Sequence, residues 1–190
     1  MPYDSEVEYL ESTGTQWINT GHETNGVGIT IDVVASKTTS ATNEMAIAGR
    51  VASVGFELYI AKGMASIWTQ SFYVASSVGI LPNIAYHITA VTDSNRQSIS
   101  VDGVVDSQTG SVTSSAVFSP IALFTHRKSY MFVGRIYSCK IHDGATLVRD
   151  FIPVSFTNEL GEQEGGLYDK ISMLIFRNQG SGAFVIGPEV

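Results

Sequence analysis

Between Gly55 and Gln70 the chain reads GFELYIAKGMASIWTQ, and its polar and aromatic residues recur at every second position. Lys62-Gly63 is a turn signal between two strand-like runs. With a two-residue loop there, Ala61 faces Met64, Tyr59 faces Ser66 and Glu57 faces Trp68. One face of the hairpin then carries Phe56, Leu58, Ile60, Ala65 and Ile67, wholly apolar as a core-facing side should be. A one-residue slip would destroy that separation. The opposite face collects Glu57, Tyr59, Ser66, Trp68 and Gln70. Aromatic rings pack on the C–H faces of sugars, and carboxylates, amides and hydroxyls exchange hydrogen bonds with sugar hydroxyls. That is the usual combination of an apolar platform with a few polar anchors. His87 and Thr89, and Ser98 and Ser100, could extend the face on neighbouring strands. Aromatics also suit strands for packing reasons alone, so an ordinary sheet surface competes with the glycan-binding reading.

Other chemistries find less support. A calcium ion would want loop oxygens, and Asp93, Asn95 and Asp102, with Asp106, are the available ones. Turn-forming Asp and Asn explain these residues equally well. Glycoside hydrolysis needs two carboxylates flanking one bond, as in the Glu-x-Asp-x-x-Glu string of laminarinase-like enzymes. No such string occurs in the chain. Glu57 has no carboxylate two residues away, and Glu162 and Glu164 sit in a Gly-flanked polar stretch. There is no Gly-x-Ser-x-Gly elbow, no Walker loop and no Gly-x-Gly-x-x-Gly. His87 on a strand and His126 in a loop read as structural or solvated. The lone Cys139 excludes an internal disulfide and a cysteine zinc cluster, and its apolar neighbours predict a buried thiol.

The elements that must position these residues are all strands. Hydrophobic residues make up 44% of the 190-residue chain and charged residues 15%, enough apolar material for a core and too little charge for disorder. Candidate strands are Val27–Ala35, Glu44–Val51, the 55–70 hairpin, Phe72–Ser76, Ala85–Thr92, Gln97–Val101 and Val117–Thr125. Gly134–Val154 (GRIYSCKIHDGATLVRDFIPV) forms a second hairpin turning at Asp143-Gly144. Pro153 should end regular pairing there, having no N–H to donate. Leu160–Gly166 reads as a loop, and Met173–Phe176 and Ala183–Ile186 as short strands. No apolar residues recur at helical spacing over three turns. Short strands with Gly, Asn and Asp turns every 8–12 residues predict an all-β sandwich or barrel, one domain over residues 1–190.

Four segments together resemble a known family. Glu8–Gly21 (EYLESTGTQWINTG), Gly134–Pro153, Gly166–Asp169 (GLYD) and Asn178–Val190 (NQGSGAFVIGPEV) occur in that order. They are similar to LamG-like, concanavalin A-like domains of gut-bacterial and bacteriophage or prophage proteins. The chain departs modestly, with Trp17-Ile18-Asn19 where the family often has Tyr-Ile-Asp and a longer segment at Ser155–Gly165. The resemblance implies an all-β, antiparallel, two-sheet jelly-roll sandwich with its end segments paired. It also implies a non-catalytic adhesion or virion role, often carbohydrate-associated.

The expected partner is thus a bacterial surface glycan, or other virion proteins if the domain is a structural virion component such as a head-decoration or baseplate protein. A divergent hydrolase is a third, minor reading. A homo-oligomer such as a trimer would add avidity. The net charge of −7 without a basic run argues against nucleic acid. The acidic N-terminus lacks a signal-peptide pattern, and no apolar run approaches the ~20 residues that span a bilayer. The expected location is a virion or a bacterial surface, reached by lysis or by processing of a longer precursor.

Overall fold

The computed structural model describes residues 1–52, 55–70 and 72–190. In chain order its strands are β1 (Ser5–Glu6), β2 (Leu10–Thr13), β3 (Ile18–Thr24), β4 (Ile29–Lys37), β5 (Met45–Arg50), β6 (Glu57–Ala61), β7 (Met64–Trp68), β8 (Tyr73–Gly79) and β9 (Tyr86–Asp93). They continue as β10 (Arg96–Val101), β11 (Val104–Thr109), β12 (Ser119–Leu123), β13 (Val133–Asp143), β14 (Thr146–Thr157), β15 (Gln163–Asp169), β16 (Leu174–Phe176) and β17 (Val185–Ile186). No helix lies among the described residues. Two antiparallel sheets pack face to face, so the all-β sandwich expected from the turn spacing is the fold. The larger runs β11-β10-β9-β4-β13-β14-β15-β16, with β1, β2 and β17 attached. The smaller runs β3-β12-β5-β6-β7-β8.

The long β13–β14 hairpin is the seam of the larger sheet. Near its turn the two strands pair with each other, from Asp143↔Thr146 back to Cys139↔Phe151. Beyond that they part. β2 takes over the edge of β13 at Val133–Ile136, and β1 takes over the edge of β14 at Val154 and Ser155. Pro153 falls at this handover, which corrects the expectation that it ends the strand: β14 runs on to Thr157. A strand residue turns its N–H and C=O toward the same edge. The Pro153 carbonyl accepts from Val7 N at 3.1 Å, so the missing N–H faces the gap between departing β13 and arriving β1. The opposite edge of β14 stays paired to β15 across the handover, from Phe151 to Thr157.

The C-terminal strand closes the same split. β17 pairs with β2, and Glu8 N donates to Pro188 O at 2.8 Å. The stretch 160–166, expected as loop, is half strand, because β15 begins at Gln163.

Alternation along the strands sends Ile29, Ile31, Val33, Ile88, Ala90, Ile99, Ile136, Cys139 and Ile141 into the core from the larger sheet. Leu58, Ile60, Ala65, Ile67, Ile121 and Leu123 meet them from the smaller sheet, and Phe56, just ahead of β6, joins them. Cys139 is a fully buried free thiol, and burial pushes its pKa up.

Strand β5 breaks the alternation: all six of its residues are buried. A strand covered on both faces reads as a continuous apolar run, and here the outer cover is the segment 124–130. Its Tyr130 carbonyl accepts from Ala46 N at 3.2 Å, and its Arg127 N donates to Arg50 O at 2.9 Å. That cover builds the candidate site.

Candidate functional site: an aromatic and carboxyl cleft on the smaller sheet

Strands β6 and β7 pair in the register read from the sequence, with Glu57 opposite Trp68, Tyr59 opposite Ser66 and Ala61 opposite Met64. Their apolar set faces the core and their polar set faces outward. On that outer face a cleft of about 190 Å³ opens between the hairpin and the 124–130 segment. The hairpin contributes Glu57, Tyr59 and Trp68. The covering segment contributes His126, Arg127 and Tyr130, and Glu44 stands at the rim just ahead of β5.

The covering segment is held in uncommon backbone. Phe124, Arg127 and Lys128 have φ of 66°, 53° and 57°, three of the seven positive-φ non-glycine residues described. Such conformations cost on the order of 1 kcal/mol each and persist where the surroundings over-determine them, often at functional sites. Here Phe124 and Phe132 plug the core beneath the loop. Phe124 N donates to Ile47 O and Phe132 N to Phe124 O, each at 2.8 Å. Ser129 N and Tyr130 N both donate to His126 O at 3.1 Å. His126 is thereby brought down over Gly49 on β5, which leaves room for it.

The floor of the cleft is Glu57. It is 4% exposed, and no hydrogen-bond donor of the described residues reaches its Oε1. Burial, and then the nearby charge of Glu44, pushes its pKa up to about 8, with Arg127 opposing. Burial, helped by Arg127 and Arg50, pushes His126 down to about 4. At pH 7 Glu57 therefore keeps its proton and His126 has none. Their 4.0 Å separation is too long for a hydrogen bond, and with both groups neutral it is not an ion pair. An uncompensated buried charge is expensive, so both groups neutralise.

The residues singled out from the sequence fare differently. Glu57, Tyr59 and Trp68 come together in the cleft. Ser66, opposite Tyr59, is buried at 4%, and Gln70 lies exposed beyond the end of β7. His87 does not extend the face. It stands on β9 in the larger sheet, with Nε2 2.9 Å from Asp32 Oδ1 on neighbouring β4, and Thr89, Ser98 and Ser100 are in that sheet too. Glu44, His126, Arg127 and Tyr130 were missed, because no local pattern says that the 124–130 loop folds over β5.

The calcium candidates are not assembled. Asp93 and Asn95 lie at one end of β10 and Asp102 at the other, roughly 20 Å apart by the rise of six strand residues. Asp93 Oδ1 accepts from Ser94 N at 2.6 Å, and Asp102 Oδ1 accepts from His87 N at 2.8 Å, both as turn-stabilising side chains. Among the described residues no group of three or more His, Cys, Asp or Glu could hold a metal ion. Glu162 and Glu164 are tied to Asn158 Nδ2 at 3.3 and 2.6 Å.

No protein-family model matches this chain, and no curated protein matches it. Among solved structures it is similar to a "putative carbohydrate binding protein" from Bacteroides ovatus, with a TM-score of 0.64 at 12% identity over 97% of this chain and 60% of that one. It is also similar to the binding domain of Paraclostridial Mosquitocidal Protein 1, with a TM-score of 0.47 at 12% identity over 92% of this chain and 62% of that one. The chain thus spans about three-fifths of the length of these structures. At such identity the first likeness is one of fold: the chain is a member of the antiparallel β-sandwich class. No helix among the described residues is long and apolar enough to cross a membrane.

Proposed function

We propose that this chain is a non-catalytic glycan-binding module and that the cleft is its binding site. The observation that carries the reading is the convergence of Trp68, Tyr59 and Tyr130 around a buried carboxyl with an unused oxygen. Ring faces take the C–H side of a pyranose, and the Glu57 carboxyl at the floor takes a hydroxyl or amine donor. Arg127 at the rim donates to an outward-facing ring oxygen or hydroxyl. The Bacteroides ovatus structure of similar fold is named a "putative carbohydrate binding protein", which agrees with the reading. The LamG-like resemblance extends it to recognition of a bacterial surface glycan by a gut-bacterial or phage-borne protein. A cleft this small grips one sugar ring weakly, so oligomerisation or tandem display would supply avidity.

A second reading, a divergent glycoside hydrolase, draws on one observation: Glu57 holds a proton at pH 7 beside the second carboxyl of Glu44. Glycosidic cleavage needs its two carboxyls fixed on either side of the scissile bond. Glu44 is exposed at the rim, off the strands that fix Glu57, which favours binding over cleavage.

A glycan array probed with the wild type beside Trp68→Ala tests the proposal. Specific binding that is lost in a folded Trp68→Ala supports it. Binding unaffected by the substitution moves the site. No binding by the folded wild type overturns the proposal in favour of a structural protein with only protein partners. Release of new reducing ends from a bound glycan would favour the hydrolase.

A further inference from the structure

The electrostatics of the cleft narrow the ligand class. Two carboxyl side chains, Glu57 at the floor and Glu44 at the rim, share one cleft with three aromatic rings. Glu57 keeps its proton at pH 7, and no donor of the described residues reaches its Oε1. His126 Nε2 lies 4.0 Å from Glu57 Oε2, beyond hydrogen-bond reach. Among the described lining residues the cation is Arg127, on the exposed loop. With both carboxyls ionised the lining would carry one net negative charge, held against π faces that themselves attract cations. A buried carboxyl at the floor, a second carboxyl at the rim and three aromatic faces mark where positive charge is favoured in the cleft.

We propose that the cleft recognises a primary ammonium on its glycan, that is, a 2-amino-2-deoxyhexose with a free rather than acetylated amine. The ammonium sits between Glu57 and Glu44, and the sugar ring lies on Trp68. A charged donor beside a desolvated carboxylate makes the stronger, charge-assisted kind of hydrogen bond. An N-acetyl group brings one neutral N–H and extra bulk to the same place. Binding is balanced by release of the Glu57 proton to solvent: the neutral acid and the ammonium become a carboxylate–ammonium pair plus one free proton. The inference rests on the glycan-binding reading of the cleft and assigns its specificity.

The test is calorimetric titration at pH 6.5 with glucosamine oligomers and with their fully acetylated counterparts, in two buffers of different protonation enthalpy. The expected result is at least tenfold tighter binding of the free-amine oligomer, with release of about one proton per ligand bound. Both features should disappear in Glu57→Gln, and the preference should shrink in Glu44→Gln. The exposed Glu44 variant keeps the test decisive should Glu57→Gln fold poorly. Equal or tighter binding of the acetylated oligomer, or tight binding without proton release, overturns the ammonium and leaves the glycan reading standing. If no glycan binds at all, the glycan reading falls and the ammonium falls with it.

Discussion

The imidazole of His126 packs on the bare Cα of Gly49. A Cβ built on Gly49 would lie 2.6 Å from both the Cβ and the Nδ1 of His126. Because the clash includes the His126 Cβ, a rotamer change cannot relieve it, and the 124–130 loop itself would have to lift. Gly49 pairs with Glu57 across β5 and β6, so the vacancy above Gly49 lets His126 and Tyr130 close the cleft beside Glu57. Gly49→Ala is therefore expected to lose the glycan binding proposed for the cleft and about 1–3 kcal/mol of stability, as overpacking does. Binding assays and thermal melts check this, and normal affinity in the variant would contradict it.

The two perturbed groups of the cleft give a signed pH dependence. Folded Glu57 keeps its proton to about pH 8, whereas its ordinary value is 4.5, so raising the pH between those values favours the unfolded chain. Folded His126 gains its proton only near pH 4 against an ordinary 6.5, so raising the pH across that interval favours the folded chain. Between pH 4.5 and 6.5 the two slopes oppose one another. Above pH 6.5 only Glu57 acts, and stability falls toward pH 8 at no more than about 1.4 kcal/mol per pH unit. Denaturant midpoints at pH 6.5 and 8 should differ by up to about 2 kcal/mol in the wild type. They should be nearly equal in Glu57→Gln, and an unchanged slope there would assign the effect to another group.

What could be seen in the sequence divides by the range of the interaction. The β6–β7 register was legible because a two-residue turn and a period of two fix it within sixteen residues. The β13–β14 hairpin was legible for the same reason at Asp143-Gly144. Which strands lie side by side was not: His87 and Tyr59 both look like outward strand residues, yet β9 pairs with β4 in one sheet and β6 with β5 in the other. Pro153 misled because its local effect is real, but the sheet changes β14's neighbour at that very residue. Half of the cleft was invisible since His126, Arg127 and Tyr130 reach it through positive-φ backbone and tertiary cover, neither of which leaves a periodic trace.

Asp169, in the Gly-Leu-Tyr-Asp motif, is expected to be structural. It is fully buried and accepts from Asp150 N at 2.8 Å, Ile171 N at 3.2 Å, Ser172 N at 3.1 Å and Ser172 Oγ at 2.7 Å. Arg149 Nε stands 3.8 Å away. Asp169→Ala strands these donors and the Arg149 charge, so about 3 kcal/mol or more should be lost. The candidate cleft lies on the other sheet, so the glycan binding proposed for it should be unchanged in the folded fraction. A binding defect in that fraction would connect this motif to the site.

The two end motifs of the family resemblance work as a clasp, which sets them apart from the cleft. Gln16 Oε1 accepts from Thr13 N at 2.9 Å, and its Nε2 donates to Ala183 O at 3.0 Å. Asn178 Oδ1 accepts from Trp17 N at 3.1 Å and Gly180 N at 2.8 Å, while its Nδ2 donates to Gly182 O at 2.6 Å. Gly180 cannot be replaced, since a Cβ there would fall 1.9 Å from the Thr15 carbonyl oxygen. These bonds hold β17 against β2 at the split of the β13–β14 seam, joining parts of the chain more than 160 residues apart. Asn178→Ala should cost about 2 kcal/mol through its stranded partners, and Gly180→Ala about 3 kcal/mol or more through backbone collision. Hydrogen exchange should show the loss first as faster opening of β2 and β17, ahead of β6 and β7. Simultaneous opening of β6 and β7 would mean that the two sheets unfold as one unit and that the clasp guards the cleft as well.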